Sequence, residues 1–166
     1  MTTMRKLPIG IQSFENIRNE NYLYVDKTAL IYQLVTKGKP YFLSRPRRFG
    51  KSLLISTLEA YFQGKKELFK GLAIDQLEQD WNVYPVLHLD LNARKYESEA
   101  DLVAILNQYL EMWEADYGDE MKLRAPEERF FYVIRRAWEQ TGRQVVVLID
   151  EYDKPCLLYT SDAADE

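Results

Sequence analysis

Apolar residues recur at two different spacings along the chain, and stretches of the two kinds alternate. Apolar residues three and four positions apart predict helices over residues 26–38, 53–64, 98–113 and 126–142, with a short further helix at 67–72. Short apolar runs of strand length occupy residues 41–43, 87–91 and 145–149. The last run is apolar on both faces, which is typical of a parallel sheet covered by helices. The alternation predicts an α/β fold.

Several residues also mark where these helices begin and what they bury. Asp26 and Ser98 are predicted helix caps, and Asp101 completes a capping-box pattern with Ser98. Pro126 opens the last predicted helix, followed by acidic residues that favour a first turn. The predicted core includes Phe130, Ile134 and the tryptophans Trp81, Trp113 and Trp138.

The loop between the first predicted strand and the next helix reads Ser-Arg-Pro-Arg-Arg-Phe-Gly-Lys-Ser over residues 44–52. Its place between strand and helix is that of a phosphate-binding P-loop, although Arg45 stands where the pattern has its first glycine. The loop amides and the helix N-terminus favour an anion. Lys51 would reach the β- and γ-phosphates of ATP, and the Ser52 hydroxyl would ligate Mg²⁺. The predicted nucleotide-binding residues are Arg47, Arg48, Phe49, Gly50, Lys51 and Ser52.

A second candidate site follows the strand at residues 145–149, where two acidic residues come next. The carboxyl ends of parallel strands are where open α/β sheets bind ligands. Asp150 suits the Mg²⁺-binding role of a Walker-B aspartate. Glu151 is the predicted general base, and with Lys51 it forms the predicted catalytic pair. Asp90 is expected to approach the same site from the end of the adjacent strand.

Several motifs together resemble the prokaryotic AAA-ATPase-like family. They are Pro-Ile-Gly-Ile at residues 8–11, Phe14, Tyr-Val-Asp-Lys-Thr at 24–28, the loop at 44–52 and Leu-Ile-Asp-Glu-Tyr-Asp-Lys-Pro at 148–155. The resemblance implies a P-loop NTPase fold, a parallel sheet with flanking helices, and binding and hydrolysis of ATP with Mg²⁺. The resemblance also implies that the arginine at position 45, where the P-loop pattern has a glycine, is usual in this family. It also implies a C-terminal nuclease-like domain of the PD-(D/E)XK type, and a strand order in which residues 87–91 pair with 145–149 while residues 41–43 stand apart.

The end of the chain, residues 156–166, reads Cys-Leu-Leu-Tyr-Thr-Ser-Asp-Ala-Ala-Asp-Glu and follows the acidic motif abruptly. This string resembles the translation of a transposon-end adapter used in sequencing libraries. We therefore expect residues 156–166 to be non-native and residues 1–155 to be the N-terminal part of an AAA-like ATPase domain. On this interpretation the sheet is incomplete at its C-terminal side, and the piece itself is inactive.

Composition narrows the remaining function classes. The net charge of −4 gives no reason to expect nucleic-acid coating by bulk charge. We found neither an apolar run long enough for a membrane span nor the apolar segment of a secretory signal, so a cytoplasmic protein is the default expectation. Cys156 is the single cysteine, so no internal disulfide can form. His88 lacks the companions of a metal site, which favours a structural role.

Three interpretations of function stay open. The first is an ATPase whose nucleotide cycle drives or switches a missing C-terminal domain. The second is a nucleotide-binding regulatory or interaction module with little hydrolysis. The third uses the basic cluster of Arg45, Arg47 and Arg48 to bind nucleic acid, although no aromatic stacking platform accompanies it. Residues 24–28 likewise have two interpretations, a helix cap centred on Asp26 or a segment placed over the adenine base.

Overall fold

The computed structural model describes residues 5–44, 50–92, 96 and 98–153, which are the described residues below. The helices are α1 (Phe14–Asn19), α2 (Thr28–Thr36), α3 (Lys51–Phe62), α4 (Lys66–Phe69), α5 (Ala73–Leu77), α6 (Glu99–Tyr117) and α7 (Pro126–Thr141). The strands are β1 (Val86–Asp90) and β2 (Val146–Asp150). The chain divides into two compact units, Met1–Val83 (unit 1) and Tyr84–Glu166 (unit 2). This arrangement confirms the α/β class.

Unit 1 is helical in its described part and packs around aromatic side chains. The rings of Phe14 and Phe69 are both fully buried, with centroids 4.8 Å apart. Trp81 packs on Phe69 at 5.1 Å, which places it in this cluster as the sequence predicts. Tyr24 meets Phe14 edge to face at 5.2 Å, a geometry favoured by the ring quadrupoles. The cluster therefore joins α1, α4 and the extended segments that precede α2 and follow α5.

Asp26 and Thr28 fasten the start of α2 to the start of α5. The Asp26 carboxylate accepts hydrogen bonds from the Thr28 amide at 2.9 Å and from the Ala73 amide at 2.7 Å. The buried Thr28 hydroxyl donates to Asp26 and accepts from the Ile74 amide at 3.0 Å. Burial opposes ionisation of the Asp26 carboxyl, but the hydrogen bonds from Thr28 and Ala73 outweigh it and lower its pKa. Asp26 therefore caps α2 as predicted, although Lys27 occupies the N-cap position.

Unit 2 holds two parallel strands, β1 and β2, and the connection between them contains α6 and α7. Val86 pairs with Val146 and the register continues to Asp90 and Asp150. This pairing confirms the predicted neighbours. The core of the unit is formed by Leu87 of β1, Leu110 and Trp113 of α6, and Val133 of α7, with Phe130 and Ile134 packed against it.

A buried ion pair connects the two long helices of unit 2. Arg129 of α7 donates from Nε and Nη2 to the two carboxylate oxygens of Glu114 of α6, both at 2.7 Å. Its Nη1 donates to Asn107 Oδ1 at 2.6 Å. Hydrogen bonding to Glu114 outweighs burial and raises the pKa of Arg129. The side chains of both charged residues are at most 6% exposed, so each depends on the other for its neutralisation.

Two sequence expectations about unit structure are wrong. Residues 41–43 form no strand, and Phe42 is 72% exposed. Strand hydrogen bonds need a neighbouring strand, and the sheet of the described residues contains β1 and β2. Trp138 is 56% exposed and not part of the core. At 100° per residue it lies about 140° around α7 from Val133, which points inward.

Other expectations hold with small shifts. Ser98 donates its amide to Asp101 Oδ2 at 2.9 Å, as the capping-box pattern predicts. The short helix predicted at residues 67–72 is replaced by α4 and α5 on either side of a turn at Gly71. Within the ranges that the structure describes, every helix is too short or too polar to cross a lipid bilayer.

Candidate functional site

The described residues of the predicted phosphate loop are Ser44 and the three residues Gly50, Lys51 and Ser52, where the chain enters α3. Gly50 has φ 75°, in the left-handed region that glycine adopts without strain, and a Cβ there would meet nothing within 4 Å. Lys51 is the first residue of α3 and Ser52 the second. Both are partly buried. The remaining predicted loop residues, Arg47, Arg48 and Phe49, lie outside the described residues, as do Arg45 and Pro46.

The start of α3 has the properties that an anion site requires. Gly50 provides no side-chain cap, and no acidic residue occupies the first turn. The first amides of a helix have no acceptor within the helix, and they carry its positive partial charge. Lys51 adds a full charge at the same end. This end of α3 can therefore bind an anionic group through backbone amides and one ammonium.

Asp150 ends β2 with a buried carboxylate. It is 7% exposed, and among the described residues its carboxylate accepts a single hydrogen bond, from the Glu151 amide at 2.9 Å. An ionised carboxylate offers about four lone-pair sites, so most of its capacity is unused. Oxygen ligands of this kind suit Mg²⁺, which needs one or two protein oxygens when phosphates and water complete its shell. The Ser52 hydroxyl is an oxygen donor of the same class. Asp150 at the end of β2 and Ser52 at the start of α3 are thus each of a residue type that can ligate Mg²⁺.

Glu151 has a backbone conformation that is unusual for its residue type. Its φ is 54°, in the left-handed region, which costs a non-glycine residue about 1 kcal/mol. Its amide is held by the Asp150 carboxylate, and its side chain is partly exposed. The turn thus fixes the direction in which the Glu151 side chain leaves the end of β2. Strain of this kind is commonly found at functional positions.

Asp90 ends β1 beside Asp150, its partner in the parallel register. Its carboxylate accepts the Asn92 amide at 2.8 Å, and the Tyr109 hydroxyl lies 3.3 Å from its backbone nitrogen and its carbonyl oxygen. The two carboxylates therefore share the carboxyl end of the sheet, as the sequence predicts. Within the described ranges, no group of three or more histidine, cysteine or acidic residues is arranged to hold a metal ion.

Two residues that sequence reasoning missed lie in the middle of α3. Ser56 Oγ accepts the Phe14 amide at 2.9 Å. Burial raises the pKa of Tyr24, and the neighbouring Thr57 hydroxyl partly opposes that rise. Both tyrosine and phenylalanine belong to motifs that the sequence singled out, but their partners on α3 have no pattern of their own. The available signal was the serine spacing, since Ser56 follows Ser52 by one helical turn.

Comparison with known proteins adds the family. The sequence profile of the family described as "Predicted AAA-ATPase" matches residues 8–165. This chain belongs to that family. The matched range includes most of residues 156–166, whose non-native origin stays a prediction. Membership in the predicted AAA-ATPase family indicates a function that involves ATP.

One protein to which the chain is similar is a protein of Azotobacter chroococcum mcd 1 described as "Uncharacterized protein in vnfD 5'region". It is 44% identical over 155 residues, which cover 92% of this chain and 30% of the relative. The chain therefore spans less than a third of the length of that relative. No solved structure matches the chain.

Proposed function

We propose that this chain is part of an ATPase that binds Mg²⁺-ATP and hydrolyses it. The observation that carries the proposal is the start of α3, where a left-handed glycine is followed by Lys51 and Ser52 in the first turn with no competing cap. The family description points to the same class of function. The acidic pair after β2 supplies the other chemical groups that hydrolysis requires.

In this proposal each residue has one task. The amides of residues 48–52 and the Lys51 ammonium bind the β- and γ-phosphates. The Ser52 hydroxyl and the Asp150 carboxylate are the protein ligands of Mg²⁺, which when bound neutralises phosphate charge. Glu151 accepts a proton from the attacking water, and its carboxylate is directed by the left-handed turn. Arg47 and Arg48 are further contacts to phosphate oxygens.

We also propose that residues 1–155 belong to a longer protein, in which nucleotide turnover drives or switches a C-terminal nuclease-like domain. The much greater length of the Azotobacter relative supports a longer natural protein. Functional experiments are therefore designed for the full-length natural protein. Residues keep their present numbers in it.

Nucleotide titration of the Lys51→Ala variant tests the proposal. We expect a loss of ATP affinity of at least about 100-fold, because Lys51 provides a full charge to the terminal phosphates. Lys66→Ala is the matched control, since Lys66 is also the first residue of a helix but is exposed and lies in α4. It should bind ATP as the parent does.

The outcomes separate the alternatives. Equal ATP affinity in Lys51→Ala and the parent would refute the phosphate-loop assignment. Tight binding with no turnover in the parent would instead favour the regulatory module. Duplex binding that persists without ATP and weakens steeply with salt would favour the nucleic-acid interpretation.

A further inference from the structure

The N-terminal part of unit 1 is attached to α3, the helix that starts at the phosphate loop. The Phe14 amide, at the start of α1, donates to Ser56 Oγ at 2.9 Å. Glu15 of the same helix pairs with Lys65, just beyond the end of α3, at 2.7 Å. The adjoining segment adds Tyr24, whose ring meets that of Phe14 edge to face at 5.2 Å. The attachments therefore act on the middle and the far end of α3.

The first turn of α3 lacks any comparable attachment of its own among the described residues. Gly50 offers no side-chain cap, and residues 51–56 are only partly buried, whereas Thr57 and Leu58 are buried. A helix moves as a rigid rod over a few turns, so its first turn is placed by the contacts made further along. Ser56 is the first of these contacts, four residues or about 6 Å along the axis from Ser52.

We infer that Ser56 is a positioning residue for the phosphate loop, because it ties α3 to α1 one helical turn beyond Ser52. This inference rests on the proposed function. It gives the motif residue Phe14 a task that does not involve touching the nucleotide, since its amide holds the helix that bears Lys51 and Ser52. It also changes the interpretation of the segment that follows α1, because Tyr24 already has Phe14 as a packing partner and does not need the adenine base for that purpose.

The consequence for binding is specific to phosphate. A small shift of α3 displaces Lys51 and Ser52 together, and displacements of about 1 Å at a reacting site have large effects. Loss of the attachment should therefore weaken the binding of every nucleoside triphosphate by the same factor. A segment that recognised the base would instead change the preference for one base over another.

The experiment compares four variants of the full-length protein by titration with Mg²⁺-ATP and Mg²⁺-GTP and by thermal unfolding. Ser56→Ala removes the acceptor, and we expect both nucleotides to bind about three- to tenfold more weakly, with their ratio unchanged. Ser56→Thr keeps the hydroxyl and should restore parental affinity. Ser98→Ala removes the hydroxyl that donates to Asp101 Oδ2 at 3.2 Å at the start of α6 in unit 2, so it should lower the melting temperature without changing either affinity. Lys51→Ala reports on the proposed function.

The outcomes distinguish the positioning role of Ser56 from the proposed function as an ATPase. A lower melting temperature for Ser56→Ala with parental affinities would overturn the positioning role, and so would a changed ratio of ATP to GTP affinity. If Ser56→Ala does not fold, Ser56→Cys, with a weaker acceptor of similar size, carries the same expectation and the same contrary results. Equal affinities for the parent and Lys51→Ala would overturn the proposed function itself, and this inference with it.

Discussion

Replacing Arg129 by methionine tests how strongly unit 2 depends on its buried ion pair. The change keeps an unbranched side chain of similar length but removes the guanidinium that pairs with Glu114 and Asn107. The Glu114 side chain, which is 2% exposed, would then be a buried charge with no partner. An uncompensated buried charge is more costly than the loss of the pair as a whole.

The structure sets the size of the effect. Arg129 makes three hydrogen bonds, two of them to a carboxylate, and a hydrogen bond to a charged group contributes about 1.5–3 kcal/mol. These contributions are not additive, and single truncation of a buried pair typically costs about 3–5 kcal/mol. We expect a loss in that range for Arg129→Met. The double variant Arg129→Met with Glu114→Leu should lose no more than about 2 kcal/mol, because no charge is left buried.

Native-state hydrogen exchange gives the opening free energy of α6 and α7 directly. In the same spectra, the amides of α2 in unit 1 serve as an internal reference. A loss of about 3–5 kcal/mol corresponds to two to four orders of magnitude in exchange rate, because about 1.4 kcal/mol is a factor of ten. The slowly exchanging amides of α6 and α7 should therefore exchange faster by that factor in Arg129→Met and largely recover in the double variant. A loss below about 1 kcal/mol in the single variant, or a double variant no better than the single one, would refute the reasoning.

Three further predictions concern the catalytic residues, the cap of α2 and the end of the chain. In the full-length protein, Glu151→Gln should keep Mg²⁺-ATP binding but abolish steady-state turnover, whereas Asp150→Asn should impair both; parental turnover in Glu151→Gln would place the base elsewhere. Asp26→Asn should cost about 1 kcal/mol at pH 7 in a urea titration. The pKa of the Asp26 carboxyl in the folded state lies below its ordinary value of 3.8. The contribution of Asp26 to stability is therefore complete well above that value and is lost as the pH falls through the folded-state pKa. The variant should accordingly show a weaker acid dependence of stability below about pH 4. Deletion of residues 156–166 should leave the unfolding transition unchanged, since an adapter-derived string has no selected fit to the core; a clear destabilisation would contradict its non-native origin.

The elements with strong periodicity or local chemistry were predictable. The boundaries of α7 follow from Pro126 at its start and Gly142 at its end, and the pairing of β1 with β2 was anticipated. Residues 41–43 were predicted to be a strand and form none. An apolar run has strand propensity, but a strand also needs a neighbouring strand with which to form hydrogen bonds. Trp138 was predicted to be buried because it is hydrophobic, but its angular position on α7 faces away from the core.

The sequence singles out the candidate site residues, whose roles stay predictions, but not the contacts that support them. Lys51, Ser52, Asp150 and Glu151 stand out because their chemistry appears in short, ordered motifs. The left-handed backbone of Glu151 had no sequence signal, because glutamate does not favour that region. The contact of Ser56 with Phe14 joins residues 42 positions apart, and no local pattern encodes a pairing of that separation.

The hydrogen bonds of Asp26 and Thr28 also bear on the order of folding. They join the start of α2 to residues 46 and 47 positions later, at the start of α5. A helix of nine residues is too short to persist alone in water, and α5 has only five. Neither helix is therefore stable before it contacts the other. The long loop between them must close while both are still forming, which places its entropy cost at the folding barrier. Unit 1 should therefore fold slowly for a unit whose described elements are helices, with α2 and α5 forming together.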